Sequence, residues 1–108
     1  MEPAMFIAMN QFPINPERTA EFEEVWRTRE SYLQGFDGFV SFALLKGDDP
    51  GDYISHSTWQ SREYFLAWTQ SDAFRRAHGA KMPEGIILGH PRARFYDAVV
   101  EERAQALA

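Results

Sequence analysis

The chain has no cysteine, which excludes disulfides and thiolate-bound metal centres. It is also short of positive charge: 11 Lys and Arg stand against 16 Asp and Glu, a net charge of -5. With no basic stripe to neutralise phosphates, nucleic acid is excluded as a partner. An anionic membrane surface is excluded on the same ground. No apolar run approaches the ~20 residues that cross a bilayer. The opening "MEPAMFIAMNQF" carries an acid at position 2 and no basic n-region, unlike a secretory signal. Nor is there a P-loop, a Ser-His-Asp grouping, a zinc spacing or a dinucleotide-binding glycine motif, so no flavin or nicotinamide is expected on the chain itself. On these absences the default expectation is a soluble cytoplasmic protein. Its 108 residues suffice for one domain, with a core over 5–100 and a frayed tail over 101–108.

What the chain does have is aromatic side chains: nine Phe, four Tyr and three Trp. Such a load fills a core, lines a pocket for a planar ligand, or buries a subunit interface. "MFIAMNQFPI" (5–14) alternates as a strand, with Phe6, Ala8, Asn10 and Phe12 on one face. Asn10 is the odd member there, a polar amide among apolar neighbours. "NPERTAEFEEVWRTRESYLQG" reads as a helix capped by Asn15, with Pro16 at its first position and Gly35 as its stop. Phe22, Val25, Trp26, Arg29, Tyr32 and Leu33 recur at helical spacing along it. "FVSFALLKG" and "YISHSTWQ" are strands around the turn "DDPGD". Ser61 and Ser71 each cap a short helix, "REYFLAW" and "DAFRRAH". "GAKMPEGIILGHP" reads as a loop and "RARFYDAVV" as the last strand.

The order strand, helix, two strands, helices, strand predicts an α+β, ferredoxin-like fold, one antiparallel sheet with helices on one face. Ile7, Met9, Tyr53, Ser55, Ser57 and Trp59 are assigned to the opposite face. A partly apolar face of this kind is hidden most simply by pairing two sheets, so a homodimer is expected.

Three residues invite a chemical reading. On a helix from Ser71, Phe74, Ala77 and His78 share one face, which turns His78 inward at the helix end before Gly79. An inward histidine is ordinarily a satisfied core residue, an inward tryptophan such as Trp68 still more so, and Asn10 could simply bond a helix end. Together they fit another set of tasks. A neutral imidazole ligates haem iron, a side-chain amide hydrogen-bonds what sits on the other side of that iron, and an indole walls a planar macrocycle. His90, beside Pro91, suits a turn, and His56, between Thr58 and Ile54 on alternate positions, suits a sheet face.

The segments "FIAMNQF", "ESYLQGFDGFVSFALL", "STWQSREYFLAW" and "SDAFRRAH" resemble the IsdG-type haem-degrading monooxygenases of the antibiotic biosynthesis monooxygenase superfamily. The resemblance runs from Met5 to Val99. It implies that His78 is the proximal ligand to the haem iron, Asn10 the distal amide and Trp68 the wall that presses haem out of planarity, with Phe74 and Arg75 also at the cofactor. Arg76 and Lys81 join Arg75 as candidates for the haem propionates. It further implies dimers whose sheets pair into a barrel (a dimeric α/β-barrel), haem as both substrate and cofactor, molecular oxygen, and an external electron donor or reductase. Ring opening then releases iron. Two rivals keep the fold: a cofactor-independent monooxygenase of phenolic or quinol compounds with His78 as base, and a haem-binding protein without turnover.

Overall fold

The computed structural model describes residues 4–79 and 82–104. Four strands, β1 (Phe6–Pro13), β2 (Phe39–Lys46), β3 (Asp52–Trp59) and β4 (Arg92–Asp97), form one antiparallel sheet in the order β2-β3-β1-β4. Helices α1 (Thr19–Thr28), α2 (Arg62–Thr69) and α3 (Asp72–Ala77) lie on one side of it. This is the ferredoxin-like arrangement that the element order predicts. No described helix is long and apolar enough to cross a membrane.

Register decides which residues meet the helices. Phe6 stands opposite Trp59 and Phe12 opposite Tyr53, and all four are buried. The assignment of Tyr53, Ser55, Ser57 and Trp59 to the far face is therefore corrected: they share the helix face with Phe6, Ala8, Asn10 and Phe12. The physical reason is cross-strand pairing, which puts directly opposed residues on one side of the pleat. The far face carries Ile7, Met9, Ile54, Leu45 and Tyr96 instead. Leu45 and Tyr96 there are more than two-fifths exposed. His56, opposite Met9 and Ala43, lies on that face too.

The first helix is shorter than its sequence pattern. Asn15 accepts a hydrogen bond from the Glu17 amide, and Pro16 opens a single 3-10 turn (Pro16–Arg18) before α1 proper. The helix stops at Thr28, not at Gly35. Thr28 Oγ1 turns back onto the Glu24 carbonyl, Arg29 is extended, and Tyr32 adopts a left-handed φ of 59°. Leaving the helix frees Leu33, which is buried beside Phe6 and Trp68 instead of continuing along α1. At the other end of the sheet the Tyr53 hydroxyl donates to Glu23, tying α1 to β3. That bond holds the Glu23 carboxyl below its ordinary range, while burial and the same carboxylate raise the Tyr53 phenol.

Two smaller expectations also change. Ser61 is buried and makes no capping bond, whereas Ser71 caps α3 as predicted, accepting from the Phe74 amide. The last strand ends at Asp97, and residues 101–104 of the expected tail are exposed without regular structure. The remainder of that tail, 105–108, lies outside the described residues.

Gly38 fixes the approach of α2 to the sheet. Its φ is +82°, its carbonyl accepts from the Gln60 amide at 2.8 Å, and a Cβ there would fall 2.1 Å from Tyr64 Cγ. Gly38→Ala is expected to lower stability by about 1–3 kcal/mol, since both backbone strain and a displaced ring oppose it. Urea unfolding checks this; an unchanged midpoint means that Tyr64 swings clear at no cost.

Candidate functional site

The buried core is two clusters. One gathers Phe6, Ala8, Leu33, Trp59 and Trp68 beneath α2 and α3; the other gathers Phe12, Ile14, Phe22, Tyr53 and Ile86 beneath α1. Between them the helix face of the sheet is floored by short side chains. Asn10 stands between Ser55 and Ala93, and Ala8 between Ser57 and Phe95. Ser57 is committed, accepting from Trp59 Nε1 at 3.0 Å and donating to the Ala8 carbonyl at 3.4 Å. Asn10 is half-buried, and its amide bonds no described residue. An amide that a strand keeps among aromatic clusters without a partner is available to a ligand.

His78 is the C-cap of α3. Its backbone N–H reaches the Phe74 carbonyl at 3.0 Å, and Nδ1 lies 2.9 Å from that same oxygen. A carbonyl only accepts, so Nδ1 carries the hydrogen and the lone pair of the neutral ring is on Nε2. The imidazole stacks on Phe74 with centroids 4.0 Å apart and planes 28° from parallel; Phe74 meets Trp68 edge-on at 5.8 Å and 86°.

The structure corrects the orientation expected for His78: the residue is exposed, not turned into the core. Helical spacing does place it beside Phe74, but Phe74 is itself only half-buried, and the imidazole covers its outer side. Trp68, by contrast, is 5% exposed and held by Phe36, Trp59 and Phe74. It is a core residue first. Trp68, Phe74 and His78 thus form one aromatic chain from core to surface. Asn10 lies on the helix face of the sheet, two positions from the Ala8 that packs in the Trp68 cluster.

The remaining candidates separate. Arg75 is exposed and paired with Asp72 one helical turn back, which also depresses the Asp72 carboxyl. Arg76 is exposed on the same helix, and Lys81 lies outside the described residues. His90 lines a cleft of about 620 Å³ with Gln11, Asp52 and Arg92. That cleft sits at the Phe12–Pro13 end of β1, away from the end that holds Trp68. Among the described residues no three His, Asp or Glu side chains gather as metal ligands.

Sequence reasoning passed over Arg29, which it treated as one more helix position. Its guanidinium lies 4.4 Å from the Trp26 ring centroid and 5.0 Å from that of Phe42, and those two rings are parallel within 7°. Burial lowers its pKa, with no carboxylate acting the other way. The indole Nε1 of Trp26 is buried without a partner among the described residues. An arginine three positions after a tryptophan at a helix end is the only trace of this in the sequence.

Residues 5–80 match the family described as antibiotic biosynthesis monooxygenase. Over 75 residues the chain is 29% identical to heme oxygenase (staphylobilin-producing) 1 of Staphylococcus aureus (strain Newman), covering 68% of this chain and 70% of that protein. Its fold is similar to that of the heme-degrader MhuD from Mycobacterium tuberculosis, with a TM-score of 0.75 and 19% identity over 91% of this chain and 99% of that one. It is similar also to SnoaB, a cofactor-independent oxygenase from Streptomyces nogalater, with a TM-score of 0.68 and 20% identity over 91% and 96% of the two chains. With a match that spans most of its length and the sheet order described above, the chain belongs to the antibiotic biosynthesis monooxygenase family.

Proposed function

We propose that this monooxygenase-family protein degrades haem, with His78 as the protein ligand to the iron. The observation that carries the reading is the state of the His78 ring. Nδ1 is occupied by the Phe74 carbonyl, Nε2 keeps the lone pair and bonds no described residue, and the plane is fixed by stacking on Phe74. A carbonyl on the far nitrogen is the usual partner of a metal-bound imidazole, because it sets both tautomer and orientation. The likeness to a staphylobilin-producing heme oxygenase supports the same reading.

The residues present fit haem in kind: an open imidazole nitrogen, a floor of short side chains, aromatic walls and an unpartnered amide. When bound, haem supplies the iron at which oxygen is activated with electrons from an external donor, and it is itself the substrate that is opened. The chain's own residues do the rest. His78 would hold the iron through Nε2 while keeping its own proton on Nδ1. Asn10 presents a side-chain N–H over the floor, where a donor counts most as negative charge develops during oxygen activation. Trp68 backs Phe74 and limits how far a planar ligand can settle toward the core. We place this activity in the cytoplasm, with the reductant supplied from outside the chain.

The open sheet face bears on assembly. Ile7, Met9, Ile54, Leu45 and Tyr96 share the sheet face opposite the helices, which no described element covers. We assign this face to a two-fold homodimer that buries on the order of 1,200 Å² or more. Sedimentation at micromolar concentration is expected to show a dimer, and replacing Ile54 with Glu is expected to shift it to monomer. A parent protein that sediments only as monomer removes the assignment.

Haemin titration tests the main reading. The parent is expected to develop a Soret band that decays to bilin-like absorption when a reductant is added in air. His78→Ala is expected to fold and to lose most tight haemin binding, because an exposed ring contributes little to the core. A Soret position and affinity unaltered in that variant exclude ligation by His78. Asn10→Ala is expected to bind haemin nearly as well as the parent and to degrade it poorly; turnover at the parent rate takes Asn10 out of the chemistry. A stable Soret band in the parent favours a haem carrier, and none at all favours oxidation of phenolic compounds without a cofactor.

A further inference from the structure

We propose that two copies of this chain pair about an axis that runs along the strands, with the β4 arginines of each copy against the β2–β3 turn aspartates of the other. The inference rests on the homodimer reading for the existence of a second copy. What it adds is the arrangement, and its grounds are the charges on the uncovered sheet face.

Register lays that face out in rows. Arg92 stands beside Gln11 on β1, and its row ends on β2 at Leu45; Arg94 stands beside Met9, and its row ends at Ala43. One row beyond Arg92, Asp52 stands opposite Pro13, and Asp49 lies in the turn between β2 and β3. Asp49, Asp52 and Arg92 all border the cleft of about 620 Å³ at this end of the sheet. Charge is therefore divided across one face, positive along β4 and negative at the β2–β3 turn. Among the described residues none of these four side chains joins an ion pair. The Asp52 carboxylate accepts from Gln11 Nε2 at 2.9 Å, and every residue of β4 is exposed.

Two aligned sheets meet face to face about a two-fold axis along the strands or about one across them. The first keeps like ends together and exchanges sides. It lays β4 over β2 of the second copy, with Arg92 above Leu45 and within a side chain's reach of Asp49 and Asp52. The stem of the arginine then covers apolar surface while its head meets carboxylate. The second axis lays β4 over β4 with the ends reversed. Centred on the face, it sets Arg94 against Arg94 and carries the aspartates to the end farthest from the arginines. Like charges brought together across an interface cost affinity, and opposite charges fix its register. A two-fold interface uses each contact twice, so the difference between the two axes is doubled.

The test uses the full chain, which has no cysteine of its own. Ser41→Cys and Tyr96→Cys proteins are mixed and treated with a short bismaleimide. The axis along the strands sets these two positions opposite each other between copies, so a covalent dimer is expected on a denaturing gel. The axis across the strands instead opposes Ser41 and Leu45, and a mixture of Ser41→Cys with Leu45→Cys is expected to stay unlinked. Charge reversal supplies the second measurement. Arg92→Glu with Arg94→Glu is expected to raise the dimer dissociation constant roughly tenfold or more at low salt, and less as salt is added. Asp49→Lys with Asp52→Lys is expected to do the same, and mixing the two reversed proteins is expected to restore a dimer. Asp49→Lys alone, on an exposed turn, checks the point if the double aspartate change disturbs folding. Cross-linking through Ser41 and Leu45, or no rescue in the reversed mixture, overturns the arrangement and leaves the homodimer standing. A parent that sediments only as monomer removes the homodimer, and the arrangement falls with it.

Discussion

The molecule depends on a break in its aromatic core. Rings dominate both ends of the helix face: Phe6, Trp59 and Trp68 at one, Phe12, Phe22 and Tyr53 at the other. Had Asn10, Ser55 and Ser57 been large and apolar, the two clusters would have fused and the sheet would carry a continuous core. Short side chains on adjacent strands instead leave the middle of the sheet without bulk of its own. The helices respect that division, since α1 serves one cluster while α2 and α3 serve the other. The division of the core follows from side-chain volume on two central strands, with no special loop required.

Each cluster is held by its own polar fastening. Tyr53 and Glu23 lock α1 to the sheet, with Lys46 at 3.8 Å and Arg27 at 3.1 Å adding charge around the same carboxylate. The Ser71 hydroxyl joins α2 to α3, donating to the Trp68 carbonyl while accepting from the Phe74 amide. One side chain thus sets the angle between the helix that buries Trp68 and the helix that displays His78. Because the aromatic chain Trp68–Phe74–His78 crosses that joint, the surface imidazole inherits its position from the core.

Much of this was legible in the sequence. Alternation gave the strands, the Asn15 and Ser71 caps gave two helix starts, and Asn10 stood out as a polar amide on an otherwise apolar strand face. What was not legible required knowledge of partners. Period-two patterning assigns residues to alternate faces of β3 but does not say which face meets the helices. That choice belongs to the register with β1, and it went the other way for Tyr53 and Trp59. Helical periodicity ran through Tyr32 and Leu33, yet Leu33 is buried because the chain leaves the helix and crosses to the other cluster. His78 illustrates a third limit: spacing identified its neighbour correctly, but not that Phe74 is itself only half-buried. Arg29 escaped for a related reason, as its meaning comes from Phe42, a residue on another element.

The double grip of the Phe74 carbonyl on His78 has a consequence for how the ring can move. The same oxygen accepts from the His78 backbone N–H at 3.0 Å and lies 2.9 Å from Nδ1. A half-turn of the imidazole would set a ring carbon against that oxygen in place of Nδ1, so rotation is opposed while the bond holds. Stacking on Phe74 opposes tilting of the plane. One residue thus restrains a surface ring in two directions.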